Sequence, residues 1–167
     1  FSTANFEATA HADINVGNDK IASFTSITYS AFQDLRAGRL KSSPDMTLAW
    51  NRYFYATRND TADIVELNEN PNVQVGTRYT QLDAVQKIRY KPKDGLEFLL
   101  NIQYSTSSNI PRYDQLTDGS VTNTNGQITE QTFKFSEWYY GPQQRLFTAF
   151  STKIDNDSLL LFNNANI

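Results

Sequence analysis

FEATAHADINV, residues 6–16, alternates from end to end. Phe6, Ala8, Ala10, Ala12, Ile14 and Val16 fall on one side; Glu7, Thr9, His11, Asp13 and Asn15 fall on the other. A period of two is the signature of a strand with one apolar and one polar face. Gly17-Asn18-Asp19 then supplies turn chemistry, and KIASFTSITYSAF (20–32) follows as a second β-rich run. In TQLDAVQKIRY (80–90), Leu82, Ala84, Ile88 and Tyr90 oppose Gln81, Asp83, Lys87 and Arg89. The polar turn KPKDG (91–95) leads into LEFLLNIQYST (96–106). There Leu96, Phe98, Leu100, Ile102 and Tyr104 oppose Glu97, Asn101, Gln103 and Ser105, with Leu99 out of pattern.

These runs predict an all-β chain: one antiparallel up-and-down meander of about six strands, near 4–16, 20–32, 78–91, 96–108, 131–141 and 143–155. Three tight turns, around Gly17, Pro92 and Pro142, are expected at one end. Long connections, 33–78, 107–130 and one beginning near Asp155, are expected at the other. Short turns on one side and long loops on the other, with strands of about ten residues, suit a fragment of a transmembrane β-barrel. A soluble sandwich also alternates, but its strands average five or six residues. The first long connection is too long for bare coil and should hold a hairpin pairing 51–58 with 61–67 about Asn59-Asp60.

Composition narrows the function classes. Charged residues make up 20% of the 167 positions and the net charge is -3, which gives no reason to expect a nucleic-acid partner. The absence of cysteine excludes disulfides, Cys-type zinc sites and thiol catalysis. No apolar run is long enough for a membrane helix, a test to which barrels are blind. No nucleophile-base motif, phosphate loop or HExxH occurs, so neither an enzyme nor a cofactor is expected. His11 is the single histidine and reads as a residue of the polar face. With no initiator Met and no signal peptide, the chain is expected to be part of a longer one.

EWYYGPQQR (137–145) crowds three aromatics against a Gly-Pro turn. The interface of a bilayer rewards rings with an apolar body and a polar tip. Trp138 and Tyr140 are therefore expected in a membrane-interface girdle, with Tyr90 beside Lys91-Pro92 repeating the device. Glu137 and Arg145 are placed to pair across that turn. Strict alternation then turns Lys134 toward lipid and Phe133 and Phe135 inward, which calls either for a β-bulge near Ser136 or for aromatic contacts inside the lumen. Two groups are candidate ligand contacts. Arg112, Tyr113 and Asp114 follow the fourth strand and either touch ligand or anchor a loop by bridging strands. Trp50, Tyr53 and Tyr55 either cap a ligand or form the packed face of the loop hairpin.

FTSITYSAFQDLRAG (24–38), NPNVQVGTRYTQLDAVQKIRY (70–90), QYSTSSNIPRYDQLT (103–117) and EWYYGPQQRL (137–146) resemble TonB-dependent receptors of the Bacteroidetes type, in the first part of the barrel after the plug domain. The resemblance implies a barrel of about 22 strands in the bacterial cell outer membrane. It implies active uptake of a scarce large ligand such as a siderophore, haem, cobalamin or a glycan. Its implied partners are the lipid bilayer, the receptor's own plug and remaining strands, and TonB acting through the plug. Plug, TonB box and most strands are missing from this sequence. The alternative is a soluble all-β binding module, for example one that holds glycans on exposed Trp and Tyr. The two differ in where the alternating apolar residues point: outward as a belt, or inward to a closed core.

Overall fold

A computed structural model describes residues 4–36, 53–112, 115–124, 127–155 and 164–166. Every regular element among them is a strand, and the sheets are antiparallel. The long strands are β1 (Ala8–Gly17), β2 (Ile21–Phe32), β7 (Tyr79–Lys93), β8 (Leu96–Ser107) and β13 (Gln144–Asp155). With β14 (Asn164–Asn166) they form a six-stranded sheet in the order β1-β2-β7-β8-β13-β14. Short pairs make up the rest: β3 (Leu35–Arg36) with β6 (Val73–Gln74), β4 (Phe54–Arg58) with β5 (Asp63–Leu67), β9 (Ile110–Pro111) with β12 (Tyr139–Tyr140), and β10 (Thr117–Thr124) with β11 (Gln127–Phe133).

The chain divides into two compact units. One comprises Thr9–Tyr29, Gln81–Thr106 and Gln143–Ile167 and holds most of the large sheet. Side-chain contacts fix its two faces. His11 and Thr28, Lys87 and the Phe24 ring, and Arg89 and Glu97 meet on one face. Gln86 bonds Thr25 and Ser23 on the other, where Tyr90, Phe98 and Phe150 stack in series. The β8–β13 register, from Gln144 opposite Thr106 to Ile154 opposite Leu96, carries the same division onward. His11, Lys87 and Glu97 thus lie opposite Ile88 and Phe98, the separation that alternation predicts.

The apolar face is open. Ile14 and Val16 on β1 and Ile21 and Ile27 on β2 are at least half exposed, as are Leu146 and Phe150 on β13. Among the described residues the only buried hydrophobic side chain is Leu116.

The other unit comprises Phe1–Ala8, Ser30–Thr80 and Ser107–Pro142, and polar side chains hold it together. The Asp34 carboxylate accepts from the backbone N–H of Gly76, Thr77 and Arg78 at 2.8–3.1 Å. Buried Thr77 donates to the Gln74 carbonyl and accepts from the Leu35 N–H. Buried Asn68 donates to the Val73 carbonyl and accepts from Asn70. Such bonds satisfy the loop backbone where no ladder does.

The expected loop hairpin is present, with Phe54 opposite Leu67 and Arg58 opposite Asp63. Asn59 caps its turn, its amide oxygen accepting from the N–H groups of Thr61 and Ala62.

The meander needs one correction. Residues 131–141 are not the fifth strand of the large sheet: β11 ends at Phe133, pairs only with β10, and β13 lies directly beside β8. Gln144 starts opposite Thr106, so Gly141-Pro142 leads into β13 at the end of β8 far from Gly95. Of the three tight turns only those at Gly17 and Pro92–Gly95 share an end, and the connection beginning at Asp155, expected at the far end, leaves β13 beside Gly95. The parity conflict at Lys134 vanishes with the strand. Ser136 is buried and donates to Asp63 rather than marking a bulge.

Candidate functional site

The large sheet and the loop-rich unit each carry a feature with chemical consequence. On the sheet, the polar face holds a hollow of about 410 Å³ bordered by Asn15, Phe24, Lys87, Arg89, Asn101 and Ser151. Its charges are tied locally: Arg89 Nε lies 2.9 Å from Glu97, and the Lys87 ammonium lies 6.0 Å from the Phe24 ring centroid. His11 lies 2.8 Å from the Thr28 hydroxyl and 3.4 Å from Asp13, a polar contact chain rather than a ligand set. Leu99 and Phe147 are the two large apolar side chains exposed on this face among the described residues.

The apolar face carries tyrosines toward both ends. Tyr90 stacks on Phe98 near the Gly95 turn; Tyr104 stands opposite Leu146 near the other end. Six residues separate Phe98 from Tyr104, roughly 20 Å along a strand at ~3.4 Å per residue. Tyr29, toward the far end of β2, is 48% exposed on the same face. The sequence reading places Tyr104 on the apolar face but gives neither it nor Tyr29 a role at a strand end, although both sit at apolar-parity positions where strands meet long connections.

In the loop-rich unit a hollow of about 510 Å³ is bordered by β4, the 75–78 turn, and residues 133–139. Arg58 grips Asp63 through two bonds, Nε to Oδ1 at 2.8 Å and Nη2 to Oδ2 at 3.0 Å. The Arg58 bond, then the Ser136 hydroxyl, hold the Asp63 carboxyl below the usual carboxylate range. Tyr55 donates to Glu66 at 2.5 Å, and that bond raises its phenol above the ordinary value. Trp138 packs on Phe135 at 4.9 Å between ring centroids.

No family model, curated protein or solved structure matches this chain.

Of the residues singled out from the sequence, Arg112 bridges two short strands. Its backbone N–H donates to the Trp138 carbonyl, and its guanidinium bonds the Tyr140 hydroxyl at 2.9 Å across that ring. This is the geometry of a loop anchor. Tyr113, Asp114 and Trp50 lie outside the described residues. Tyr55 lines the loop hollow; Tyr53 gives its carbonyl to the Asn68 N–H. The three residues expected to share a girdle do not flank turns at one end: Tyr90 is near the Gly95 turn, whereas Trp138 and Tyr140 lead in sequence to Gln144, which pairs with Thr106 at the other end of β8. Glu137 and Arg145 do not bracket a hairpin; Arg145 faces Ser105 in register, and Glu137 lies near enough to Arg58 to raise that guanidinium's pKa further.

Proposed function

We propose that the large sheet is part of the membrane-spanning wall of an outer-membrane β-barrel. The observation that carries this reading is the uncovered apolar face shared by β1, β2, β7, β8 and β13, backed by a polar face with its own charge pairs. In water that face is costly. Ten large apolar side chains on it are exposed by more than a third. At about 1 kcal/mol each for half-burial they forgo on the order of 10 kcal/mol. A domain's whole stability is only about 5–15 kcal/mol. Lipid removes that penalty, and strands of 10–15 residues are long enough to cross the hydrocarbon at a tilt. Tyr90 toward one end and Tyr29 with Tyr104 toward the other suit the two interfaces of such a slab.

The further step, to a TonB-dependent receptor that imports a scarce ligand too large for a porin, rests on the sequence phrases at 24–38, 70–90, 103–117 and 137–146. In that reading the polar face meets the lumen and its plug, and TonB acts through the plug. Cysteine labelling of the full-length protein in outer-membrane preparations tests the wall. Ile88→Cys and Phe98→Cys should react with lipid-soluble probes, and Lys87→Cys and Gln103→Cys with water-soluble reagents. Equal reaction of all four with water-soluble reagents would overturn it.

A further inference from the structure

The loop-rich unit presents two opposite charges to one hollow. Arg78 and Glu137 both border the 510 Å³ hollow, and among the described residues neither side chain has an ion-pair or hydrogen-bond partner. They do not pair with each other. The other two charges on the lining are already committed: Arg58 to Asp63, and Asp34 to three backbone N–H groups. The hollow therefore offers a guanidinium and a carboxylate whose hydrogen-bonding positions are open among the described residues, the carboxylate lying within Coulomb range of Arg58. A guanidinium presents a planar fork suited to a carboxylate, and a carboxylate accepts from an ammonium. Trp138 and Tyr139, 39% and 50% exposed, border the same space and offer apolar ring area. The Asn109 side-chain amide borders it too.

We infer that this hollow is a binding site for a zwitterion of short-peptide size. Arg78 takes the terminal carboxylate, Glu137 takes the terminal ammonium, and Trp138 and Tyr139 cover the body between them. The volume falls within the range of small-ligand pockets. The charge balance selects against other classes. A polyanion would meet Glu137 and a polycation would meet Arg78, and like charges brought together in a partly desolvated space cost affinity. A neutral ligand would leave the open hydrogen-bonding positions of both charged groups unfilled, whereas a zwitterion fills both. The inference rests on the loop unit alone, so it holds whether the large sheet lies in a bilayer or not.

Titration calorimetry on the full chain in detergent micelles tests it with three probes: tri-alanine, its N-acetyl form and its C-terminal amide. Tri-alanine should bind saturably, and each blocked form should bind about tenfold more weakly or worse, as expected for losing a charged hydrogen-bonding group. Arg78→Gln should bind tri-alanine and its amide alike; Glu137→Gln should bind tri-alanine and its acetylated form alike. No saturable heat with any of the three, or blocked forms that match the free peptide on the unsubstituted chain, would overturn the inference. These last arms need no variant to fold. A failed membrane reading would show instead as cysteine labels facing water, with the calorimetry unchanged.

Discussion

A glycine stands at residue 95 because two constraints meet there. Its φ is +74°, a region that side chains rarely adopt, and a Cβ at that point would sit 2.3 Å from the Asp155 carbonyl oxygen. That oxygen is backbone and cannot swing aside, and Asp155 already donates its N–H to the Gly95 carbonyl. Gly95→Ala should therefore loosen the end of β13 as well as strain the turn. The expected loss is about 1–3 kcal/mol, read as a lower denaturant midpoint of the detergent-folded chain; Lys93→Ala, as a control, should leave the midpoint within error. Asp63 makes a prediction of a different kind. Arg58 and Ser136 hold its folded pKa below the ordinary 3.8. A depressed carboxylate contributes stability above its unfolded pKa and loses it as pH falls through the folded value. Hydrogen exchange across 54–67, corrected for intrinsic rates, should thus be steady from neutral pH down to about pH 4 and quicken below it. Asp63→Asn should exchange faster throughout and lose that acid dependence; a variant that keeps the full dependence would remove Asp63 as its cause.

Elements were legible where alternation was long and its partner was next in sequence. β1, β2, β7 and β8 follow from period two, and the β4–β5 hairpin follows from β-formers around Asn59-Asp60. The segment 131–141 reads as a strand because three aromatics before a Gly-Pro pair mimic the end of a hairpin. Lys134 at an apolar-parity position is the sign within the sequence that this segment does not continue the large sheet. β13 pairs with β8 instead because their parities match: Phe150 faces Leu100, Leu146 faces Tyr104, and Lys153 faces Glu97. That complementarity is visible in the sequence only once the register is known. The pairing is open to a direct test, since partners across an antiparallel ladder lie within disulfide reach. Ile102→Cys with Thr148→Cys should cross-link on mild oxidation, while Phe133→Cys with Thr148→Cys should not. The reverse outcome would restore the hairpin at Pro142. The loop hollow was less legible for a similar reason. Arg78 and Glu137 are far apart in the chain, and neither carries a local motif; only the fold of the 68–78 and 133–139 segments brings both to one cavity.

At the scale of the molecule, the question is what solvent this chain is built for. Folded domains in water put their large apolar side chains into a common core, and among the described residues Leu116 alone is buried. The large sheet cannot supply a core by itself, because one face is polar and the large apolar side chains of the other stay exposed among the described residues. Its edges compound the problem. β1 and β14 are the outermost strands of the sheet, and an unpaired edge beside exposed Ile14 and Val16 is a template for association with another chain. Expressed alone, the 167-residue chain should therefore form large aggregates in buffer and become monodisperse only in detergent or lipid. Replacing exposed residues of the apolar face separates the two readings. Leu146→Lys with Phe150→Glu should raise solubility in buffer and weaken detergent binding, because both are more than 60% exposed and cost nothing in core packing. The same changes in a soluble binding module would strike its core and cause unfolding. Light scattering without detergent separates the two outcomes. A monodisperse monomer of the unsubstituted chain that unfolds cooperatively would mean that the apolar face is covered in water, and the membrane-wall reading would fall with it.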